Sequence, residues 1–547
     1  MFASKDALIA SAATGGYTIN NSLRFRSSAS AYLSRTPASA SNRTTWTWSG
    51  WVKRGSLALT PTNVYTLLDC QIDANNWATF WFYNNSIGYD ISWTSSANRI
   101  ILSSTAVQRD PSSWYHVVIA VDTTQATAAN RILAYINGQS VTLNSYAIGS
   151  GYVTQNTNLA INSTSLQNIG RRNTSTPDAF YDGYMAEINF VDGQALTPSS
   201  FGVTGPNSVW QPSLYSGSYG TNGFYLKFAS TGSTSALGTD SSGNSNTWTV
   251  NNLSVTAGVT YDPMLDSPTL TSATVANFAT FNPLQPHDGG YTTSVTNGNM
   301  AVSITYSSGG NMVTVPSTIK TSPSGQWYWE VTVTSALAGG TTGVGVITPD
   351  SYVEGANPPT TNYLYVQSGN KFTNGTSTAY GATFTSGDVI GIALDVDAGT
   401  ITFYKNNVSQ GTAFTGLSAT SYYAVVTSNA TGTRSYAINF GQRPFSYTPP
   451  SGYVALNAYN LSAGTVTTSG SFTGNALADG PFVWLNGTPT AMTINGNAVT
   501  FGTQADKLAN GFKVRTTSTS YNSTGSNTYS VSTTGAKFKY QIAQGNP

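Results

Sequence analysis

The chain has 547 residues, more than one hydrophobic core usually serves, so several domains are expected. Only 8% of its residues are Asp, Glu, Lys or Arg and its net charge is +1, which argues against a polybasic nucleic-acid surface or membrane insertion. One cysteine and two histidines exclude an internal disulfide and a Cys- or His-rich metal centre, and neither a signal peptide nor an apolar run of 18 residues is legible.

The 53 Gly and 22 Pro accompany abundant Ser, Thr and Asn, all poor in helix interiors, which points to sheet and turn. Aromatic residues at 12% and a 39% hydrophobic fraction supply a core. Residues 1–16 are small and mixed and read as an N-terminal arm. Over 17–212 short β segments follow one another: SLRFRS and WTWSGWV alternate with period two, then NWATFWFYNN, WYHVVIAVD and RILAYINGQSV. Such a series fills a two-sheet sandwich. Within it INGQ predicts a tight hairpin turn, because Asn-Gly accepts positive φ, and Cys70 in LLDC reads as a core residue.

Residues 213–270 form a Gly/Ser/Asn-rich join whose aromatic residues favour a packed β flap. A second sandwich is expected over 271–461, from GQWYWEVTV to INFGQRPF. Residues 462–547, ending in FKVRTTS, TYSVS and KFKYQIA, read as a small β module.

Specific residues give both sandwiches a resemblance. In the first, Trp48, Ser49, Trp51 and Val52, then Trp114 to Val117 with His116 and Asp122, then Tyr135 to Gly138 with Asn137, then IGRR, Phe180, Gly183, Ala186 and Glu187 resemble the laminin-G/concanavalin-like jelly roll. In the second, Trp327, Trp329, Glu330 and Val331, then Gly387, Asp388, Gly391, Leu394 and Asp395, then Phe403, Asn406 and Phe414, then Asn439, Phe440, Gly441, Pro444 and Phe445 resemble the SPRY domain, a concanavalin-like sandwich used mainly in protein recognition. The expected fold is therefore all-β: tandem concanavalin-like β-sandwiches (jelly rolls) with a small C-terminal β domain. The matched residues are expected to shape the fold.

Bond-breaking chemistry is not expected. Glycoside cleavage needs two carboxylates flanking one bond, and no Glu-x-Asp-x-x-Glu spacing occurs; Asp388, Asp395 and Asp397 read as turn residues, His116 as a packed sheet residue and His287 as a plain loop residue. Neither a P-loop nor HExxH nor GxSxG is present. No cofactor is required, though Asp69, Asp73 and Asp178 are weak calcium candidates at a sandwich rim. Aromatic and basic residues at expected loop positions, namely Tyr89, Trp93, Arg171, Arg172, Tyr352, Tyr363 and Tyr365, are the candidate ligand contacts.

The domain order resembles virion proteins of tailed bacteriophages. That resemblance implies a tail-fibre or tail-associated adhesion protein that binds a host glycan or surface protein, sits on the virion at tail or capsid and is assembled in the host cytoplasm. Other virion proteins and further copies of itself, as in a fibre trimer, would be its partners. A non-adhesive structural or head-decoration protein is the alternative, and a polysaccharide depolymerase the weakest reading.

Overall fold

A computed structural model describes residues 16–461 apart from 58–63, 146–150, 175–177, 206–207, 285–290, 307–311, 336–340, 350–360 and 420, and a set of strands within 463–547. The chain is all-β, with tandem β-sandwiches in the first unit, residues 1–462. In the first sandwich one sheet runs Gln139–Val141, Ile132–Ile136, Trp114–Asp122, Thr45–Arg54, Gly183–Asp192, Ser22–Phe25 and Pro263–Met264, with Phe224–Leu226 also on Gly183–Asp192. The facing sheet runs Leu143–Ser145, Ser95–Ser104, Ser86–Trp93, Asn76–Tyr83, Val64–Asp73, Gln167–Ile169, Tyr32–Arg35 and Thr249–Asn251. The period of two sends Trp46, Trp48 and Val52 inward against Leu68, Cys70, Phe80 and Tyr89. Trp46 meets Phe80 edge-on at 5.3 Å. Burial pushes the Cys70 thiol up to about 12, as suits an inert core residue.

The opposite face of the first sheet is covered as well. Trp51, Trp114, Tyr184 and Ala186 pack with Ile19, Met264 and Met300, and Val118 and Val191 with Phe201. Thr45–Arg54 and Gly183–Asp192 are consequently buried almost throughout. Residues 213–270 are built into this sandwich, since Phe224–Leu226 and Pro263–Met264 pair with strands of its first sheet and Thr249–Asn251 with a strand of its second. Turn chemistry behaves as the residues dictate: Asn137 and Gly138 take φ of 49° and 79° and join Ile132–Ile136 to Gln139–Val141.

In the second sandwich one sheet runs Tyr291–Thr296, Ala301–Tyr306, Gly432–Asn439, Gln326–Ser335, Val389–Asp395, Thr400–Lys405 and Val408–Phe414, with Val454–Ala455 parallel to Gln326–Ser335. The other runs Val313–Lys320, Tyr423–Ser428, Thr342–Ile347, Asn362–Val366, Asn370–Thr373 and Thr376–Ala379. Trp327, Trp329 and Val331 alternate into a core shared with Ile392, Phe403 and Tyr365.

Charged groups stitch the two sandwiches together. Asp182 accepts bonds from Ser27 N and Oγ on its own side, and from Asn297 N at 3.0 Å and Gly298 N at 2.6 Å in the second sandwich. Tyr184 donates its hydroxyl to Gly298 O. Lys53 Nζ donates to Asp266 Oδ2 at 2.7 Å, Asn277 Oδ1 at 2.7 Å and Phe278 O at 2.9 Å, with both ionic side chains at zero exposure. Trp114 Nε1 donates to the other Asp266 oxygen at 3.0 Å.

Among the described residues of the second unit, residues 463–547, the strands form two sheets. Ser469–Asn475, Ser526–Thr533, Pro489–Ile494 and Asn497–Ala498 form one, and Phe482–Leu485, Gly511–Arg515 and Asp506–Leu508 the other.

Removing one partner of a fully buried ion pair strands the other charge, at about 3–5 kcal/mol. Asp266→Asn is expected to lower the urea midpoint of the first unit by a corresponding amount. The double substitution Lys53→Met with Asp266→Leu should cost less than either single change, as tryptophan fluorescence would show.

Candidate binding site

The outward face of the second sheet of the first sandwich carries a polar row. Strand register aligns Asn168 with Asp69, Asp69 with Thr79 and Thr79 with Asp90 across four neighbouring strands, and the same alternation that sends Cys70, Phe80 and Tyr89 inward turns these residues out. Asp69, Thr79 and Asp90 of this row, together with Gln71, Trp77, Arg99, Arg172 and Thr174, line a pocket of about 180 Å³.

Every charged group in this pocket has a protein partner. Asp69 accepts from Thr79 Oγ1 at 2.6 Å and from Asn173 N at 2.9 Å. Burial nevertheless holds its carboxyl up at about 6. Asp90 accepts Arg99 Nε at 2.7 Å and Nη2 at 2.6 Å, and Trp77 Nε1 at 3.1 Å. Arg99 lies over the Trp77 ring and Arg172 over Trp81, each with 5.7 Å to the ring centroid. The result is a braced, hydrogen-bonding pocket with one aromatic residue, Trp77, in its lining.

Sequence reasoning missed Gln71, Trp77, Thr79, Asp90, Arg99 and Thr174. The usable signal was charge in mid-strand: Asp90 and Arg99 stand inside Ser86–Trp93 and Ser95–Ser104, in a chain with few charges to place.

The residues selected from sequence are distributed otherwise. Tyr89 is fully buried and packs edge-on against Phe80 at 4.8 Å, and Trp93 belongs to the same core. Tyr365 is fully buried among Tyr380, Phe384 and Phe403. Sequence alone places these three in loops, but they lie in Ser86–Trp93 and Asn362–Val366 on the inward phase, where no ligand reaches them. Tyr363 is half-buried against Phe414 and Tyr422. Tyr352 and His287 lie outside the described residues. Arg172 lines the pocket and is paired bidentately with Asp178. Its neighbour Arg171 stacks over Tyr32 at 3.9 Å and bonds Asn168 and Asn173.

The calcium candidates do not converge. Asp69 is engaged as above, Asp178 holds Arg172, and Asp73 accepts from Asn75 N and Asn76 Nδ2 within its own turn. Among the described residues no three His, Cys, Asp or Glu side chains are grouped to hold a metal ion.

The motif residues occupy conformational positions. His116 accepts from Trp210 Nε1 at Nδ1, meets Ser49 Oγ at Nε2 and stacks on Trp51; burial lowers it to about 3. Its backbone N–H donates to Asn137 Oδ1. Gly138 packs directly against Trp210, and an added Cβ would lie 2.4 Å from that ring. Glu187 takes φ of 51° at a β-bulge, bonds the Tyr17 and Tyr225 hydroxyls and is raised by burial to about 7. Glu330 accepts from Ser446 N and Tyr447 N. Asp388 accepts from Thr385 N and Asn406 Nδ2, and Asp395 from Ala398 N and Gln326 Nε2. Asn439 accepts from Gly441 N, beside the buried Phe440. Gly387 and Gly441 have φ of 93° and 107°, where only glycine is unstrained. Trp48, Trp114, Trp327 and Trp329 are buried.

Residues 27–201 match the family model of the concanavalin A-like lectin/glucanases superfamily. Residues 326–443 match the SPRY domain. Among curated proteins the chain is similar to the Ran-binding proteins 9/10 homolog of Drosophila melanogaster, 31% identical over 171 residues, which is 30% of this chain and 17% of that protein. It is also similar to the E3 ubiquitin-protein ligase RKP of Arabidopsis thaliana, 41% identical over 81 residues, 14% of this chain and 6% of that one. The chain thus spans a small part of either relative. The solved SPRY domain of human HERC1 is 28% identical, covering 29% of this chain and 96% of that one with a TM-score of 0.24.

These matches overturn the bacteriophage reading. The curated relatives are a Ran-binding protein homolog of Drosophila melanogaster and a ubiquitin-protein ligase of Arabidopsis thaliana, so the tail-fibre adhesin, the head-decoration protein, the depolymerase, the virion and host-glycan partners, the fibre trimer and the virion location are all set aside. Two stacked sandwiches with hydroxyl-rich surfaces follow from sheet chemistry and are not specific to a virion.

Because the unfolded Asp69 carboxyl titrates near 4 and the folded one at about 6, the folded state binds the extra proton between those values. Stability therefore falls as pH rises from about 4 to about 6 and levels off above, by about 3 kcal/mol from this residue. Asp69→Asn is expected to remove this residue's share of the decline, leaving the parts due to Glu187, Glu330, Asp182 and Asp266, whose carboxyls burial also raises. Urea midpoints at pH 4, 5, 6 and 7 measure the difference.

Proposed function

We propose that the chain is a protein-recognition scaffold whose second sandwich binds a partner protein, with the first sandwich as its mount. The observation that carries this is the SPRY match over residues 326–443. The seam supports it: bonds from Asp182 and Tyr184 to the loop of Asn297 and Gly298 fix the second sandwich on its neighbour, and a surface held before binding loses less entropy on association. The working division is an arm at 1–16, sandwiches over 17–212 and 271–461, the join at 213–270 and a module at 462–547. Arg171, Arg172 and Tyr363 remain as contact candidates beside the pocket and the second core.

The test is reconstitution. A partner captured on the immobilised full chain, then purified, is expected to bind in solution by calorimetry, with cross-links concentrated in residues 291–443. Cross-links confined to residues 17–212, or failure of every purified candidate to bind, would overturn the proposal.

A further inference from the structure

A strand at the border of a sheet leaves every second residue with an unpaired N–H and C=O pointing outward, a template for any other extended chain. Proteins normally protect such borders by shortness, bulges, proline, charge or a covering segment. In the first unit almost every described border strand is protected in one of these ways. The first sandwich ends its sheets in Gln139–Val141, Pro263–Met264, Leu143–Ser145 and Thr249–Asn251, none longer than three residues.

In the second sandwich, Val313–Lys320 contains Pro316 and is covered by residues 280–282, through Asn282 N to Pro316 O at 2.9 Å and Thr318 N to Thr280 O at 2.7 Å. Val408–Phe414 is broken by two register shifts, and its carbonyls at Ala413 and Gly411 accept from Lys371 Nζ and the Tyr380 hydroxyl. Thr376–Ala379 is four residues long.

Tyr291–Thr296 is the exception. It pairs with Ala301–Tyr306 at six successive positions without a register shift. Neither strand contains a charged residue or a proline, and no other described strand pairs with Tyr291–Thr296. Its Thr292 and Ser294 side chains are exposed, while Val295 packs on the core. Its far end runs into Asn297 and Gly298, whose N–H groups are anchored on the buried Asp182 carboxylate, so the border is held in extended form before anything binds.

We infer that the outer border of Tyr291–Thr296, unpaired among the described residues, takes up an extended, uncharged segment of a partner protein as an added β-strand. The donors and acceptors of this border complement only another extended backbone. The face beside Val295 favours an apolar residue at every second position of the incoming strand, and the Thr292 and Ser294 face favours hydroxyl residues. This inference rests on the reading of the second sandwich as a protein-recognition domain and names its point of contact.

The probe is an acetylated, amidated peptide of six alternating Val and Thr residues with two Lys at each end, added to the full chain and followed by amide hydrogen exchange. Outward amides of residues 291–296 are expected to exchange quickly in the free chain and to slow at least ten-fold on saturation. Thr292→Lys with Ser294→Lys, which alters only exposed side chains, should weaken binding at least ten-fold with an unchanged melting temperature.

Unchanged exchange over 291–296 with the peptide bound, or equal affinity of the double variant, overturns the inference. So does slow exchange in the free monomer, which would mean that the chain covers its own border. Protection that appears only with rising protein concentration would assign the border to a second copy and likewise overturn it. If the reconstituted partner binds while residues 291–296 stay unprotected, the inference fails and the recognition role stands; if no partner binds at all, it is the recognition role that fails.

Discussion

The architecture of the first unit depends on buried carboxylates at the seam between its sandwiches. Asp182 and Asp266 are both buried. Asp182 takes a serine of the first sandwich and backbone N–H groups of the second, and Asp266 takes an ammonium and an indole N–H of the first sandwich and the backbone N–H of Phe278 from the second. A carboxylate removed from water is tolerated only when its lone pairs are filled by well-placed donors. The geometry that fills them also sets how the second sandwich sits, because moving Gly298 or Phe278 away would leave Asp182 or Lys53 short of partners. A chain with so few charges thus commits several of them to one internal boundary. Arg24 adds bonds to Asp262, Val259 O and Tyr261 O there, and Arg443 a further one to Val259 O.

This placement explains what was legible in the sequence. The strands of both sandwiches were readable because period-two alternation and Asn-Gly turns are local properties. Trp46 and Trp48, or Trp327 and Trp329, announce a core face without knowledge of what faces them. The boundary was not readable. Lys53 looks like an ordinary solvent residue at the end of WTWSGWVK, and nothing local says that Asp266, more than 200 positions later, will meet it. The same limit misplaced Tyr89 and Tyr365: aromatic residues near turn signals look like loop contacts until the strand phase is counted from the core outward, which puts both inside.

The pocket on the first sandwich shows a related limit. Its row of Asn168, Asp69, Thr79 and Asp90 exists only because four strands are in register, and register is a tertiary property. The sequence contained a hint in the mid-strand charges of Asp90 and Arg99, which a low-charge chain would not bury without a partner. Reading that hint required asking which polar residues were costly where they stood.

A surface with little net charge also constrains how the protein meets a partner. Without a strong field to steer encounter, association proceeds at the modest rate of neutral docking, and selectivity must come from shape and hydrogen bonding. Loops lined with Ser, Thr and Asn give shallow discrimination, whereas the backbone groups of a strand border pair with an extended backbone and not with a helix. Rigidity strengthens that filter. A border anchored through Asn297 and Gly298 on a buried carboxylate cannot bend to suit an ill-fitting strand, so the bonds that fasten the two sandwiches also sharpen what the second one accepts.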